Sequence, residues 1–177
     1  MEKTTFPWAT VGGYDFYEVL SALQKTIRRG LRDEALFWAS ELYLSGYEIH
    51  AWRRLLVIAS EDVGSADPMI FVQVRALWDT WSERKKEGDA KLYFIDAVLR
   101  LVNATKSRIT DSATIVFFEG DRLRPDIPDY ALDVHTGRGR DKGRGYQHFF
   151  EEGAKLDCLT VPDPYAAQAK LIRIKKG

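Results

Sequence analysis

The stretch EIHAWRRLLVIASEDVGSADP, residues 48–68, decides the fold because it predicts a buried helix that ends in a polar turn. At about 100° per residue, one set of its apolar side chains forms a single stripe. This stripe contains Ile49, Trp52, Leu55, Leu56, Ala59 and Val63. Val57 and Ile58 fall outside it, so the helix, expected from about residue 48 to residue 63, is apolar on two sides. Such a helix is typical of the centre of a fold or of a partner contact.

Helical patterns lie on both sides of this stretch. Asp15 and Glu18 form a capping-box pattern before a helix that ends at Gly30, and a second helix runs from near Asp33 to Gly46. The Asp67-Pro68 pair predicts the start of a fourth helix. Its expected buried face contains Ile70, Phe71, Val74, Leu77, Trp78 and Trp81.

A fifth helix is expected after Asp89, and its apolar residues cover about half of its circumference, which predicts deep burial. A sixth spans roughly residues 107–119, where residues 115–118 are the best strand candidate but stand in a helical context. Convincing strand alternation is absent from the sequence. We therefore expect an all-α fold, a bundle of about six packed helices.

The composition of the sequence changes after Gly120, where prolines and the segment GRGRDKGRG at residues 137–145 appear. Short helices are plausible near residues 129–134, 146–152 and 165–175. The expected organisation is an N-terminal lead at residues 1–13, a helical domain at 14–120 and an irregular extension at 121–177.

Composition limits the classes of function. The 177 residues contain 26 Lys and Arg against 26 Asp and Glu, so nucleic-acid binding would require a local basic cluster. Cys158 is the single cysteine, which excludes an internal disulfide and a multi-cysteine zinc site. The N-terminus lacks an apolar signal-peptide core, and no apolar run reaches the length of a membrane span. We expect a cytoplasmic protein without a membrane partner.

Residues 14 to about 110 resemble the C-terminal domain of the MgsA/RarA family of AAA+ ATPases, whose eukaryotic relatives include the Werner-helicase-interacting ATPase. The most specific part is RRLLVIASEDVGSADP at residues 53–68, which combines polar, charged and helix-breaking positions in one order. The other matching residues are Tyr14-Asp15, Ser21 to Lys25, Ile27-Arg28, Asp33 to Ala39, Gly46 and Thr105-Lys106-Ser107. Beyond them the extension departs from the family pattern, apart from a loose similarity at residues 143–148.

The resemblance implies a helical domain of the clamp-loader collar type, which holds ATPase subunits together as a tetramer. The sequence lacks a G-x-x-x-x-G-K-[ST] phosphate loop, and we expect no enzyme activity and no cofactor. We expect a free-standing oligomerisation module linked to DNA replication, recombination or repair. Its expected partners are further copies of itself, as a tetramer or dimer, an ATPase of the same family, or DNA. The apolar helix at 48–63 and the Trp-rich face at 70–81 are the expected assembly surfaces.

Polar residues of the family motif allow two interpretations. They are Arg53, Arg54, Glu61, Asp62, Asp67 and Lys106. The favoured interpretation is an internal ion network that organises the turn after the third helix, and the alternative is a partner-docking patch. Arg54 and Glu61 share a helix face two turns apart, so we expect them to be energetically coupled, directly or through a third residue.

Two other interpretations concern the extension. Arg138, Arg140, Lys142 and Arg144, with Tyr146 for stacking, would suit nucleic-acid phosphates, and the alternative is a solvated loop. A small metal-dependent enzyme is the less favoured possibility. Its potential ligands are Asp133, His135, His148, Glu151 and Glu152.

Overall fold

The computed structural model describes residues 7–121, 124–157 and 162–176, so Cys158 lies outside the described residues. The chain divides into two compact units, residues 1–122 and 123–177. Regular structure within the described residues is helical, and their one extended pairing is an isolated bridge between Ala9 and Asp15. The all-α prediction is therefore confirmed. None of the helices in the described residues has the length and apolar character needed to cross a membrane.

The first unit contains six α-helices connected by short turns. They are α1 (Phe16–Arg29), α2 (Arg32–Leu44), α3 (Glu48–Ile58), α4 (Ile70–Glu83), α5 (Ala90–Asn103) and α6 (Ile109–Thr114). Two of them continue as π-helical turns, α3 through Ala59–Val63 and α6 through Ile115–Glu119. A short 3-10 turn, Gly64–Ala66, follows the first of these.

The ends of α1 show how local sequence sets the helix boundaries. The carboxylate of Asp15 accepts hydrogen bonds from the backbone N–H groups of Tyr17 (2.8 Å) and Glu18 (3.0 Å). These are donors that the first turn of a helix otherwise leaves without partners. At the other end Gly30 adopts a left-handed conformation, with φ of 70°, which side-chain-bearing residues rarely adopt.

The core of the first unit is built around α3. Trp52 is fully buried, and its ring lies 5.2 Å from Phe94 and 5.8 Å from Trp81, measured between ring centroids. Leu23 of α1 is also completely buried in the core. Helix α3 therefore occupies the central position expected from residues 48–68.

Two exposed apolar side chains differ from the sequence expectations. Phe71 was expected on the buried face of α4 and Leu92 within a deeply buried α5, but both are exposed. Helix α4 packs against α3, α5 and the π-helical turn after α3, and these neighbours cover a narrower stripe than expected. On α3 the core covers Ile58 and leaves Val57 exposed. The expected helix at 48–63 is also divided, because α-helical geometry ends at Ile58.

The second unit contains α7 (Gly137–Asp141), α8 (Tyr146–His148) and α9 (Ala166–Lys176), with a 3-10 turn at Asp129–Ala131. Helix α8 continues as a π-helical turn, Phe149–Gly153. The expectation of a loop over 137–145 is thus wrong for its first five residues. The Thr136 hydroxyl accepts a hydrogen bond from the backbone N–H of Gly139 (3.1 Å) and caps this short helix. Gly139 packs so closely on the backbone of Asp133 that a Cβ would overlap it.

The cap of α1 gives a test of this fold. We expect Asp15→Ala to lower the free energy of unfolding by about 1 kcal/mol, because two backbone donors lose their acceptor. Asp15→Asn keeps an acceptor oxygen and should stay close to the native value. Urea denaturation followed by circular dichroism measures both. Equal stability of the alanine variant and the native chain would show that this cap does not stabilise the fold.

Candidate functional site

The carboxylate of Asp62 is completely buried at the π-helical turn after α3. Its Oδ1 accepts hydrogen bonds from Nε of Arg28 (2.5 Å) and Nη1 of Arg108 (3.1 Å). Its Oδ2 accepts a hydrogen bond from Nε2 of Gln24 (3.0 Å). A buried carboxylate is tolerated only when charges and donors of this kind replace its hydration. Asp62 therefore fixes the position of three side chains that come from α1 and from the residue before α6.

Glu61 extends this cluster toward solvent. Its Oε1 accepts hydrogen bonds from Nη2 of Arg28 (3.0 Å) and Nη1 of Arg108 (2.7 Å). Arg108 also pairs with Asp111 through its second terminal nitrogen. Desolvation acts to lower the pKa of Arg108, but hydrogen bonds to Asp62 and Glu61 and the nearby Asp111 outweigh it and raise the pKa. The guanidinium therefore remains charged.

Gly64 explains how the chain leaves this turn. Its φ of 51° and ψ of −127° lie where side-chain-bearing residues are strained. A Cβ at this position would also stand 2.6 Å from Oγ1 of Thr110. Both conditions require glycine, and they bring the π-helical turn into direct contact with α6.

Lys106 holds the segment that leads into α6. Its ammonium donates to the carbonyl oxygens of Leu101 (2.8 Å), Val102 (2.9 Å) and Ala104 (2.7 Å), which caps the C-terminus of α5. Burial lowers the pKa of Lys106, and the charge of Asp62 acts in the opposite direction. The next residue, Ser107, donates its backbone N–H to the carbonyl oxygen of Asp62 (2.9 Å). The Thr105-Lys106-Ser107 stretch therefore docks α6 onto the turn.

The motif residues predicted from the sequence divide into two groups. The structure brings Glu61 and Asp62 together, and Arg54 joins them through Gln24, whose Oε1 accepts from Nη1 of Arg54 at 2.9 Å. A direct contact between Arg54 and Glu61 is not formed, because Glu61 is engaged by arginines from outside α3. Sequence reasoning missed Arg28, Gln24 and Arg108 as members of the network. Arg28 and Gln24 lie in the segments of α1 that match the family, and this match was the signal that could have identified them.

The remaining motif residues lie outside this network. The carboxylate of Asp67 accepts the backbone N–H of Met69 (3.1 Å) in the turn before α4, which begins two residues later than Pro68. Arg53 is exposed and forms no ion pair within the described part of the chain.

Two of the four basic residues at 137–145 are engaged within the second unit. Asp129 accepts from Nη2 of Arg144 (2.5 Å) and from Nζ of Lys142 (3.1 Å). Arg144, followed by Lys142, lowers the pKa of Asp129 to about 2. Because this pKa is depressed on folding, the contribution of the ion pairs to stability is present near neutral pH and is lost only as the pH falls toward about 2.

Arg138 and Arg140 remain more accessible. Both are exposed, and Nη1 of Arg140 donates to the carbonyl oxygen of Val134 (3.1 Å). Arg138 forms no ion pair among the residues that the structure describes. The Tyr146 ring is already in contact with the guanidinium of Arg173, 5.5 Å from the ring centroid. The basic surface that can meet a partner is thus smaller than the sequence suggested.

The histidines of the extension are arranged around Asp133. Its Oδ1 accepts the backbone N–H of His135 (2.8 Å) and lies 3.2 Å from Nδ1 of the same residue. The backbone N–H of His135 is the main cause of the lowered pKa of Asp133. Within residues 7–121, 124–157 and 162–176, no group of three or more His, Cys, Asp or Glu is placed to hold a metal ion.

The structure also exposes apolar side chains in and after α6 that were not predicted from the sequence to form a surface. We define the α6 surface as Ile109, Ile115, Val116, Phe117 and Phe118, all of which are exposed. Phe117 is 72% exposed and Phe118 is 82% exposed. An apolar groove between α3, α4 and α6 lies next to Thr110 and Thr114, with Val57 and Phe71 in its walls. The expectation that the Trp-rich face of α4 is an exposed assembly surface is wrong, because Trp81 is fully buried and Trp78 is half-buried.

Comparison with known proteins identifies similar sequences over most of the chain. A family model described as the C-terminal domain of the MgsA AAA+ ATPase matches residues 31–165. This range extends well beyond residue 110 and includes most of the extension, so the expectation that the extension departs from the family is corrected.

Individual relatives agree with the family match. Replication-associated recombination protein A of Haemophilus influenzae is 36% identical over 161 residues, covering 88% of this chain and 34% of the relative. The protein of the same name from Bacillus subtilis is 33% identical, covering 84% of this chain and 36% of the relative. The ATPase WRNIP1 of Dictyostelium discoideum is 27% identical, covering 86% of this chain and 18% of the relative. The chain thus spans about a third of the length of the bacterial relatives.

The buried carboxylate gives a test of the network. We expect Asp62→Asn to lower the free energy of unfolding by about 3 kcal/mol, because Arg28 loses a buried counter-charge and an amide donor then faces Gln24. Asp79→Asn is the matched control, since Asp79 pairs with Arg75 at the surface and its loss should cost under about 1 kcal/mol. Urea unfolding of the two variants gives the comparison. Equal losses would contradict a structural role for the burial of Asp62.

Proposed function

The chain belongs to the family of MgsA AAA+ ATPase C-terminal domains, and from this we propose that it is an assembly module that works in replication-associated recombination. In this role it supplies contacts between protein subunits and does not hydrolyse ATP. The matched family region is C-terminal, and the 177 residues contain no phosphate loop, which supports this division of roles. The names of the bacterial relatives support the biological setting.

The exposure of the α6 surface is the observation that carries the proposal. Two adjacent phenylalanines are more than two-thirds exposed, at 72% for Phe117 and 82% for Phe118. Aromatic rings contribute large buried areas when they enter an interface. Contiguous apolar surface of this kind marks interaction sites in folded proteins. The α6 surface is therefore suited to contact another protein.

A second copy of the chain is the proposed occupant. Most soluble oligomers are homo-oligomers, and the collar architecture implied by the family resemblance brings equivalent domains together. The groove containing Val57 and Phe71 offers a second apolar element that the α6 surface of a neighbouring copy can enter. An equivalent domain of a family ATPase would fit the same surface, which permits mixed assembly. The proposed state is a dimer or a tetramer.

The network around Asp62 supports assembly indirectly. Arg108 immediately precedes α6 and pairs with Glu61, Asp62 and Asp111. Thr110 contacts the turn at Gly64. These contacts hold the first turn of α6 against α3, so the apolar residues that follow are presented from a fixed base. A binding surface that is positioned in advance loses less entropy on association.

We expect the double variant Phe117→Glu and Phe118→Glu to be monomeric at concentrations where the native chain self-associates. The substitutions place charges in an apolar contact but affect side chains that are already exposed, so the fold should be retained. Leu92→Glu is the control, because Leu92 is 68% exposed on α5. Sedimentation velocity across the micromolar range measures the masses, and circular dichroism verifies folding.

The native chain and the Leu92→Glu variant should sediment as dimers or tetramers. A single species of 20.3 kDa for the native chain at every concentration would contradict self-association. Assembly that persists unchanged in the double variant would show that a different surface is used.

Nucleic-acid binding by the second unit is a second candidate function. The favouring observation is that Arg138 and Arg140 are exposed and make no ion pair among the described residues. Basic residues at the end of α9 are also exposed, namely Arg173, Lys175 and Lys176. In an oligomer several copies of this basic surface would act together on one nucleic acid.

The ion pairs of Asp129 lead to a specific expectation for salt dependence. If Lys142 and Arg144 remain paired, Arg138 and Arg140 neutralise two phosphates and contribute about −1.4 to −1.8 per subunit to the slope of log K against log salt. Arg138→Ala with Arg140→Ala should remove this part of the slope, whereas Lys142→Ala with Arg144→Ala should leave the slope nearly unchanged. Fluorescence anisotropy with a labelled oligonucleotide measures the slopes. The opposite ranking of the two double variants would reject this assignment.

A further inference from the structure

A separate groove lies between α1 and α3 in the first unit. We call it the α1–α3 groove, and its lining residues are Phe16, Tyr17, Leu20, His50, Arg53, Arg54 and Val57. Its volume is about 340 Å³, which accommodates a few side chains. It lies on the side of α3 that carries Arg53, the motif residue that the ion network leaves out.

We propose that the α1–α3 groove binds an acidic peptide segment of a partner protein that carries a large apolar side chain. The carboxylates contact Arg53 and Arg54, and the apolar side chain packs against Phe16 and Leu20. This interaction does not require the assembly proposed for the α6 surface, and Val57 borders both grooves.

The electrostatics of the groove favour an anionic ligand. Arg53 has no ion pair within the described part of the chain, and the hydrogen-bond partner of Arg54 is the neutral amide of Gln24. In the ion network, by contrast, Arg28 and Arg108 each contact carboxylates. A guanidinium whose donors are not engaged by a carboxylate can accept one from a partner in a two-pronged contact.

Arg54 is also positioned in advance. It is half-buried, and its Nη1 is fixed at 2.9 Å from Oε1 of Gln24, which is itself held by Asp62. The exposed Arg53 can adjust around this fixed neighbour. One guanidinium held by Gln24 and one exposed guanidinium line the same groove, which suits two successive carboxylates of a peptide.

The wall and floor of the groove are apolar and aromatic. The Phe16 ring is held between Tyr47 and His50, with centroid separations of 4.6 and 5.2 Å. The Tyr17 side chain is 65% exposed, so one side of the groove presents a ring to a ligand. A concave apolar floor with charges at its edge is typical of peptide recognition, in which one side chain is anchored and neighbouring charges fix its orientation.

The same features argue against a nucleic acid in this groove. Nucleic-acid affinity grows with the number of phosphates that basic residues neutralise, and two arginines provide only two such contacts. Among the residues that the structure describes, no other lysine or arginine lines the groove. An acidic peptide uses both the charged lip and the apolar floor.

Fluorescence anisotropy with a defined probe tests the proposal. The probe is a fluorescein-labelled peptide of four glutamates followed by leucine and phenylalanine. In one control peptide glutamines replace the four glutamates, and in the other serines replace the last two residues. Labelled oligothymidylate tests for binding of nucleic acid. The chain variants are Arg53→Ala and Tyr17→Ala, with Arg29→Ala as a matched loss of an exposed arginine elsewhere on α1.

We expect saturable binding of the acidic peptide that weakens as salt is raised, and much weaker binding of either control peptide. Arg53→Ala should raise the dissociation constant by about 10-fold, because a charge-assisted contact is lost. Tyr17→Ala should also weaken binding, and Arg29→Ala should leave the constant within about twofold of the native value. The Phe117→Glu and Phe118→Glu variant should bind the peptide normally, since the α6 surface is not involved.

Three results would overturn the proposal. The first is no saturable binding of the acidic peptide by the folded native chain. The second is equal weakening by Arg53→Ala and Arg29→Ala, which would indicate general charge attraction. The third is Arg53-dependent binding of oligothymidylate without binding of the peptide, which would assign the groove to nucleic acid. None of these outcomes bears on self-association, which sedimentation measures separately.

Discussion

The fold of the first unit depends on the burial of the Asp62 carboxylate. A charge removed from water is costly unless opposite charges and hydrogen-bond donors surround it. Gln24 and Arg28 reach Asp62 from α1, and Arg108 reaches it from the residue before α6. The backbone contributes as well, since the carbonyl of Asp62 accepts from Ser107. Helix α1, the end of α3 and the start of α6 are therefore fixed relative to one another by one side chain and its peptide group.

This arrangement links a structural constraint to the two surfaces that we propose to bind partners. On one side Arg108 anchors α6, so its exposed apolar residues project from a fixed first turn. On the other side Gln24 carries the constraint to Arg54, which lines the α1–α3 groove. The charged groups of the network are largely paired with one another, which suits a role in positioning α6 and Arg54. The side chains that we propose to contact partners, Phe117, Phe118 and Arg53, lie outside the network.

The extent to which the sequence could predict this structure depends on the kind of interaction. Helix α1 followed directly from Asp15 and Gly30, because caps act over one turn and leave a local signature. The ion network was recognisable only in part: Glu61, Asp62 and Arg54 stand in one motif, whereas Arg28 and Arg108 approach from distant positions that periodicity cannot pair. The exposure of Phe71 and Phe117 was not predictable, since an apolar residue at helical spacing has the same pattern whether a neighbour covers it or not. The helical conformation of residues 137–141 depends on the close packing of Gly139 on Asp133, which composition does not reveal.

We propose that the α6 surface is the contact between copies of this chain. Hydrogen–deuterium exchange at increasing protein concentration tests it directly, because amides that enter an interface exchange more slowly as the complex becomes populated. We expect exchange over residues 109–118 to slow with concentration, while exchange in the exposed turn between α4 and α5 stays constant. Exchange over residues 109–118 that is independent of concentration, in a sample whose mass shows association, would contradict the claim.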